Sequence, residues 1–249
     1  MSLVTAPDTP FQELARLVRS DVAFATRVLR LANSPLIGGR EVTSILHALS
    51  ILGSDRLNAL VMTLAIHQFV SRPGRQHDLT HRCWRHSVAT AYLCELLAVS
   101  FGQHPDTAYT AGLLHDMGAI AIAFLYPVQY EEILQRCTDT GQQLAAEQDQ
   151  FGVDHAEFGA ELVDLWQMPS HFCRLLLEHH SYQDSGHSLQ GLVQRCDALA
   201  NQLGLSIFAS GSFGQDPEHL PAWLPARWRS LDLLAHLLER INGLECSLM

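Results

Sequence analysis

Apolar residues recur at the three- and four-residue spacing of a helix along almost the whole chain. Leu14, Leu17 and Val18 share one face, as do Val22, Ala25, Val28, Leu29 and Ala32, and no sustained alternation suggests a strand. The pattern predicts an all-α protein of about ten to thirteen helices. Breaks fall at Asn33-Ser34-Pro35 and Gly38-Gly39, at Ser71-Arg72-Pro73-Gly74, between Gly102 and Pro105, at Pro127, at Pro169, and between Asp184 and Gly186. At these places Pro, Gly and short polar side chains favour turns over helix.

The break at Ser71–Gly74 divides the chain unevenly in chemistry, because nearly all the histidines lie beyond it. The expected organisation is a segment over residues 1–9, an N-terminal helical half over 10–74, a His-rich helical half over 75–205 and an extension over 206–249. The extension opens with a Gly-, Ser- and Pro-rich stretch, Ser206 to Arg229. It ends in an amphipathic helix built on Leu231, Leu234, Leu237, Leu238 and Ile241, able to cover an apolar patch or support a homodimer.

Composition narrows the classes of function. With 249 residues and 47% hydrophobic content the chain can bury a substantial core. All 16 basic residues are arginine, and they form no stripe on a chain of formal charge -10. A duplex-binding surface needs clustered positive charge, so direct nucleic-acid binding is not expected. The six cysteines contain no Cys-x-x-Cys pair and mostly occupy apolar helical positions, which fits a reducing cytoplasm. No uninterrupted apolar run reaches about 18 residues and no secretory pattern opens the chain, so neither a membrane span nor export is expected. Met1 to Leu3 reads as a possible expression scar, in which case the chain is a piece of a longer protein.

Candidate chemistry centres on His115-Asp116, within Ala111-Gly112-Leu113-Leu114-His115-Asp116-Met117-Gly118-Ala119. Adjacent imidazole and carboxylate suit borderline divalent metals. His86 shares a helical stripe with Cys83, Ala89, Leu93 and Leu96, and His155 one with Phe158, Gly159, Leu162 and Trp166. His179 aligns with Phe172, Leu175 and Leu176, and Asp197 lies at the edge of the Leu189, Val193, Cys196, Ala200 stripe. Taken singly, each reads as a hydrogen-bonded core histidine or a helix-capping aspartate.

Together His86, His115, Asp116, His155, His179, His180 and Asp197 form an inward-facing donor set. Leaving such groups unpaired in apolar stripes costs roughly 1–3 kcal/mol each. Two metals about 3.5–4 Å apart, bridged by a carboxylate such as Asp116, could use these donors and activate a water for phosphodiester attack. A metal-free buried network that fixes helix register is the competing structural reading. No Gly-x-Ser-x-Gly, phosphate loop or dinucleotide fingerprint occurs, and Ser87 beside His86 does not make a nucleophile–base pair, since adjacent helical residues face apart.

Two stretches identify a family. Ser20-Asp21, Arg27-Val28-Leu29-Arg30-Leu31-Ala32-Asn33-Ser34 and Ile45 to Gly53 resemble the N-terminal signature of HDOD domains, the HD-related output domains of bacterial signalling. Trp84-Arg85-His86-Ser87, the run through His115-Asp116, Asp154-His155-Ala156-Glu157-Phe158-Gly159-Ala160, Trp166, Pro169 and Glu178-His179-His180 resemble the rest, over about residues 10–205. The resemblance implies an N-terminal helical subdomain packed on an HD-like bundle, with Asn33-Ser34-Pro35 as a fold marker. It also implies relation to HD-type metal phosphohydrolases, including the HD-GYP phosphodiesterases of cyclic di-GMP, and a use as a signalling or scaffold module that commonly lacks catalytic residues.

By similarity to HD-GYP enzymes, the seven donors match ligand or near-ligand positions for one or two divalent transition metals, Fe, Mn or Zn. The substrate side departs from that pattern. Ala119 stands where a phosphate-contacting lysine is expected, in a chain with no lysine at all. Ser181 replaces a glutamate after the double histidine, and Gln183-Asp184-Ser185-Gly186-His187 keeps only a trace of the Gly-Tyr-Pro loop. Phosphoryl transfer relies on stabilising developing charge, so this loss weighs against turnover. Arg82, Arg85 and Arg174, the basic residues nearest the motifs, read as solvated helix charges.

The expectation is therefore an output module, coupled to a receiver or sensor domain or to other signalling proteins, working by contact with degenerate catalysis. The alternatives are a metal-dependent phosphodiesterase, in which His115 and Asp116 carry the catalysis, and a non-catalytic metal or nucleotide sensor.

Overall fold

In the computed structural model the described residues are 28, 32, 42, 44–45, 47–53, 62–63, 66–67, 77–166, 168–181, 187–208, 220–225, 228 and 232–248. Asn33-Ser34-Pro35, Gly38-Gly39, Ser71–Gly74 and 183–186 lie outside them. So do most of the N-terminal signature and the centre of the Gly-, Ser- and Pro-rich stretch. Among the described residues there is no strand, in agreement with the all-α expectation.

Among the described residues nine α-helices run from residue 77 onward, slightly below the expected ten to thirteen. They are α1 (His77–Leu97), α2 (Pro105–Leu114), α3 (Met117–Leu125), α4 (Pro127–Arg136), α5 (Thr140–Phe151), α6 (His155–Leu165), α7 (Ser170–Glu178), α8 (Leu189–Gln202) and α9 (Asp232–Leu248). The sequence breaks have physical causes. Pro105 and Pro127 sit in the first turns of α2 and α4, where a missing N–H removes no helical bond, and Pro169 occupies the cap before α7. Asp139, Asp154 and Ser188 cap α5, α6 and α8 by accepting from the N–H groups of Gln142, Glu157 and Gly191.

The chain forms two compact units, Met1–Ala65 with Glu239–Met249, and Ile66–Leu238. In the first, residues 45 and 47–53 are helical and Ile45, Ala48, Leu49 and Leu52 are buried, the i, i+3, i+4, i+7 stripe of an amphipathic helix. In the second, α1 is the central element. Trp84, Val88, Ala89, Ala91, Leu93, Cys94 and Leu97 are all fully buried, so this helix is covered on almost every side, with α2, α3 and α8 against it. Farther out, α3 packs on α6 and α6 on α7.

The run Pro105–Leu125 is apolar and long enough to cross a membrane by composition, but 78% of its most apolar 18-residue stretch is buried in the protein and it is broken at His115-Asp116 into α2 and α3. Two expected stripes need correction. The buried face of α6 is His155, Ala156, Gly159, Ala160 and Val163, while Phe158 and Leu162 are half-buried and Trp166, just past its end, is 41% exposed. That of α9 is Leu233, Leu237, Ile241 and Leu244, with Leu234 and Leu238 half-buried and Leu231 outside the described residues. In both, other apolar side chains on neighbouring positions made an alternative face equally legible from spacing. The cysteines are free thiols, and all but Cys173 and Cys246 are buried.

Candidate metal centre

The break between α2 and α3 builds the centre. Asp116 occupies the cap position of α3, where aspartate ordinarily bonds backbone N–H groups, yet its side chain makes no cap hydrogen bond. The capping reading of Asp116 therefore fails, and its carboxylate turns into the protein among four imidazoles. Oδ1 lies 3.5 Å from His155 Nε2 and 3.4 Å from His179 Nε2, and Oδ2 lies 3.6 Å from both His86 Nε2 and His115 Nε2. Each oxygen thus faces its own pair of histidines, as expected of a bridging carboxylate.

A close helix crossing makes this convergence possible. A Cβ on Gly118 would collide with the His155 carbonyl and come within 2.7 Å of Gly159 N, and one on Gly159 would come within 3.0 Å of Gly118 N. Only two bare backbones let α3 and α6 approach so closely. His155, first residue of α6, is thereby brought to Asp116, the residue before α3.

The tautomers follow from the partners. His86 Nδ1 is 2.7 Å from the Leu205 carbonyl, His115 Nδ1 2.7 Å from that of Gly112, and His179 Nδ1 2.6 Å from that of Leu176. A carbonyl oxygen only accepts, so each Nδ1 carries hydrogen and donates, which turns Nε2 toward Asp116 and makes it the atom that can bind a metal once it carries no proton. His155 Nδ1 is 2.6 Å from Glu147 Oε2, and its Nε2 is 2.7 Å from His180 Nε2. Fixing one ring nitrogen to a carbonyl or carboxylate while aiming the other inward is the usual arrangement of metal-binding imidazoles.

The centre is almost sealed. His86, His115, Asp116, His155, His179 and Asp197 are buried, and His180 is half-buried. Among the described residues His115 Nε2, His179 Nε2 and Asp116 Oδ1 are buried without a hydrogen-bond partner. Such orphaned acceptors are costly unless something else satisfies them. Two ligands bound at about 2.1 Å to one tetrahedral ion lie about 3.4 Å apart, close to the carboxylate–imidazole spacings here.

Two donor groups result, Asp116 with His155, His179 and His180, and Asp116 with His86 and His115, each able to converge on one ion. Asp197 stands beside the second group. Its Oδ1 is 3.1 Å from His86 Nε2 and accepts from Asn201 Nδ2 at 2.9 Å.

Electrostatics follow from burial and charge. Burial opposes a charge on His86 and on His155, but the facing carboxylates, Asp197 and Glu147 respectively, outweigh it and raise both pKa values to about 9. Burial lowers that of His115, and burial with His179 and His155 alongside takes His180 down to about 2. Burial works against the charge on Asp116, yet His115, His179 and the other rings hold it well below the usual carboxylate range. For Asp197 burial is likewise overcome, chiefly by His86, giving about 2.

The site's surroundings bring one omission and one correction. Glu147 on α5 escaped the sequence reading although it is fully buried and grips His155. Its i, i+4 pairing with buried Gln143 on an otherwise polar helix was the available signal. Arg82 is no solvated charge, since it donates to Glu131 Oε2 at 2.7 Å and to the Ile207 carbonyl at 2.7 Å, part-buried. Arg174 is the exposed helix charge expected, pairing with Glu178 four residues on. Ala119, one turn beyond Asp116, is fully buried among the apolar residues of α3. Ser87 is buried, with no partner for its hydroxyl among the described residues.

The HDOD domain profile matches residues 1–182 of the chain. The chain belongs to the HDOD family. An HDOD domain protein of unknown function from Geobacter sulfurreducens superposes with a TM-score of 0.71 at 27% identity, over 98% of this chain and 87% of that one. A Marinobacter aquaeolei protein named for signal transduction shares the fold, with a TM-score of 0.69 at 22% identity over 99% of this chain and 56% of its own. An uncharacterised protein of Treponema pallidum is 25% identical over 226 residues, 86% of this chain. The present chain spans 42% of that relative's length.

Proposed function

We propose that this HDOD chain is a cytoplasmic signalling output module that holds one or two divalent transition metals at its His/Asp cluster and acts by protein contact rather than phosphoryl transfer. The observation that carries the reading is the pairing of a complete inward-facing donor set with a sealed methyl at position 119. Donors are present and oriented by outer hydrogen bonds, whereas no cation stands one turn from Asp116. Iron, manganese and zinc all suit imidazole with carboxylate.

His86, His115, Asp116 and Asp197 would hold one ion, and Asp116, His155, His179 and His180 the other. Bound metal would supply Lewis acidity and a more acidic water. The chain's own contribution is to fix the ring nitrogens and exclude bulk solvent. Charge on a departing phosphate would meet no lysine. Coupling to a receiver or sensor domain, or to other signalling proteins, follows from the family's use as output modules.

The opposing reading, a metal-dependent phosphodiesterase, is favoured by the two faces of Asp116, each toward its own histidine pair. Incubating metal-loaded protein with cyclic dinucleotides and nucleotides separates the two. The expected result is no turnover above that of Asp116→Asn. Turnover at an enzymatic rate that Asp116→Asn abolishes would overturn the contact reading.

A further inference from the structure

The metal-facing imidazoles are not anchored alike. His115 closes α2 and His179 closes α7, so each ring reaches a carbonyl three residues back in its own helix. His155 is the first residue of α6 and has no preceding helical turn to supply a carbonyl. Its backbone N–H is also one of the unpaired donors of a helix N-terminus. Both needs are met by one group from another helix. Glu147 Oε2 accepts from His155 N at 2.8 Å and from His155 Nδ1 at 2.6 Å.

The other oxygen is equally occupied. Glu147 Oε1 accepts from Tyr130 Oη at 2.9 Å and from Gln143 Nε2 at 2.8 Å, and Gln143 Nε2 also donates to Tyr130 Oη at 3.0 Å. All four partners are donors, which suits an acceptor-only carboxylate, and no lone pair remains for a metal. Among the described residues His155 is the only metal-facing imidazole whose Nδ1 is held by a carboxylate, and charge-assisted bonds of this kind are roughly twice as strong as neutral ones.

Resting on the metal reading above, we infer that Glu147 is a positioning residue that holds His155 in its Nδ1–H form and so sets the metal affinity of the half-site made by Asp116, His155, His179 and His180. The half-site of His86 and His115 does not depend on it, since those rings hang on carbonyls of Leu205 and Gly112. Tyr130 and Gln143 brace Glu147 through its other oxygen, and Gln143 Nε2 also lies 3.4 Å from His155 Nδ1. An amide at position 147 cannot reproduce the arrangement, because its NH2 would face either the two His155 donors or the Tyr130–Gln143 pair.

The test is a Co(II) titration of the chelator-stripped full chain against a competing chelator, followed through the visible absorption of the bound ion. The wild type should take up metal in two classes of site. Glu147→Gln should weaken one class by about tenfold to a hundredfold and spare the other, the size of loss seen when outer partners of metal-bound histidines are removed. Tyr130→Phe, which removes one brace of Glu147 but leaves both of its bonds to His155, controls for destabilisation and should weaken that class less than Glu147→Gln does and spare the other.

Equal loss in both classes, equal loss in Glu147→Gln and Tyr130→Phe, or no loss in Glu147→Gln overturns the inference while leaving the metal reading intact. A wild type that binds no Co(II) overturns the metal reading itself and this inference with it. Nitrogen-15 NMR of metal-free wild type gives a readout that needs no variant. His155 should show a protonated Nδ1 bonded to a carboxylate, and an unprotonated Nδ1 would contradict the assignment.

Discussion

Asp116 joins the two halves of the site, and its neighbours' protonation decides what metal must displace. With pKa values raised to about 9, His86 and His155 are charged in the metal-free protein at neutral pH, and a cation can bind their Nε2 atoms only after both protons leave. Loading at pH 7 should therefore release about two protons, read as the dependence of calorimetric binding heat on buffer ionisation enthalpy. Release near zero would mean these rings are already neutral. The same shifts carry a stability consequence. A pKa raised from 6.5 to about 9 contributes stability fully present below 6.5 and lost as pH rises through 9. The thermal midpoint of chelator-treated protein should fall across that window, while metal-loaded protein, in which the protons are already gone, should not show the fall. Asp197 has the opposite sign: its contribution is present above 3.8 and disappears as pH drops toward about 2.

At the scale of elements, the site depends on the α3–α6 crossing. Gly118→Ala places a methyl into the His155 carbonyl and the Gly159 amide, both backbone, so neither can rotate away. It should cost about 1–3 kcal/mol or more and weaken metal binding by displacing His155 from Asp116. Gly243→Ala in α9, with nothing within 4 Å of the new carbon, should be neutral or stabilising by up to about 1 kcal/mol. Denaturant melts of the two variants check both. The crossing also shows what was legible beforehand. Buried polar residues lying inside helical apolar patterns, such as His86, His179 and Asp197, were visible because a polar residue on a buried stripe is conspicuous, and His115 because it adjoins Asp116. The buried face of α6 was misread, since Trp166 and Leu162 fit a helical period as well as Ala156, Ala160 and Val163 do, and only packing chooses between them. Glu147 left only its i, i+4 spacing from Gln143 as a local trace, for another reason. Its role comes from meeting an N-terminal histidine across helices, and the spacing within α5 does not record that partner.

For the whole molecule, an all-arginine basic complement and a net charge of -10 leave a chain with donors for metal and little to attract phosphate. Restoring the expected cation at position 119 should fail as a simple repair. Ala119 is fully buried in an apolar helix, so Ala119→Lys would bury an uncompensated ammonium and should lower the thermal midpoint by several degrees without yielding turnover. A variant as stable as the parent that hydrolyses cyclic dinucleotides would show that the missing lysine alone silenced an enzyme. The central claim is that the buried imidazoles and Asp116 exist to hold metal. Elemental mass spectrometry of the chain purified without chelator, beside Asp116→Asn checked for folding by circular dichroism, tests it most directly. The account predicts near-stoichiometric iron, manganese or zinc in the parent and loss of it in the folded variant. A parent that is folded, carries no transition metal and takes none up on incubation would contradict it and leave the cluster as a hydrogen-bonded core.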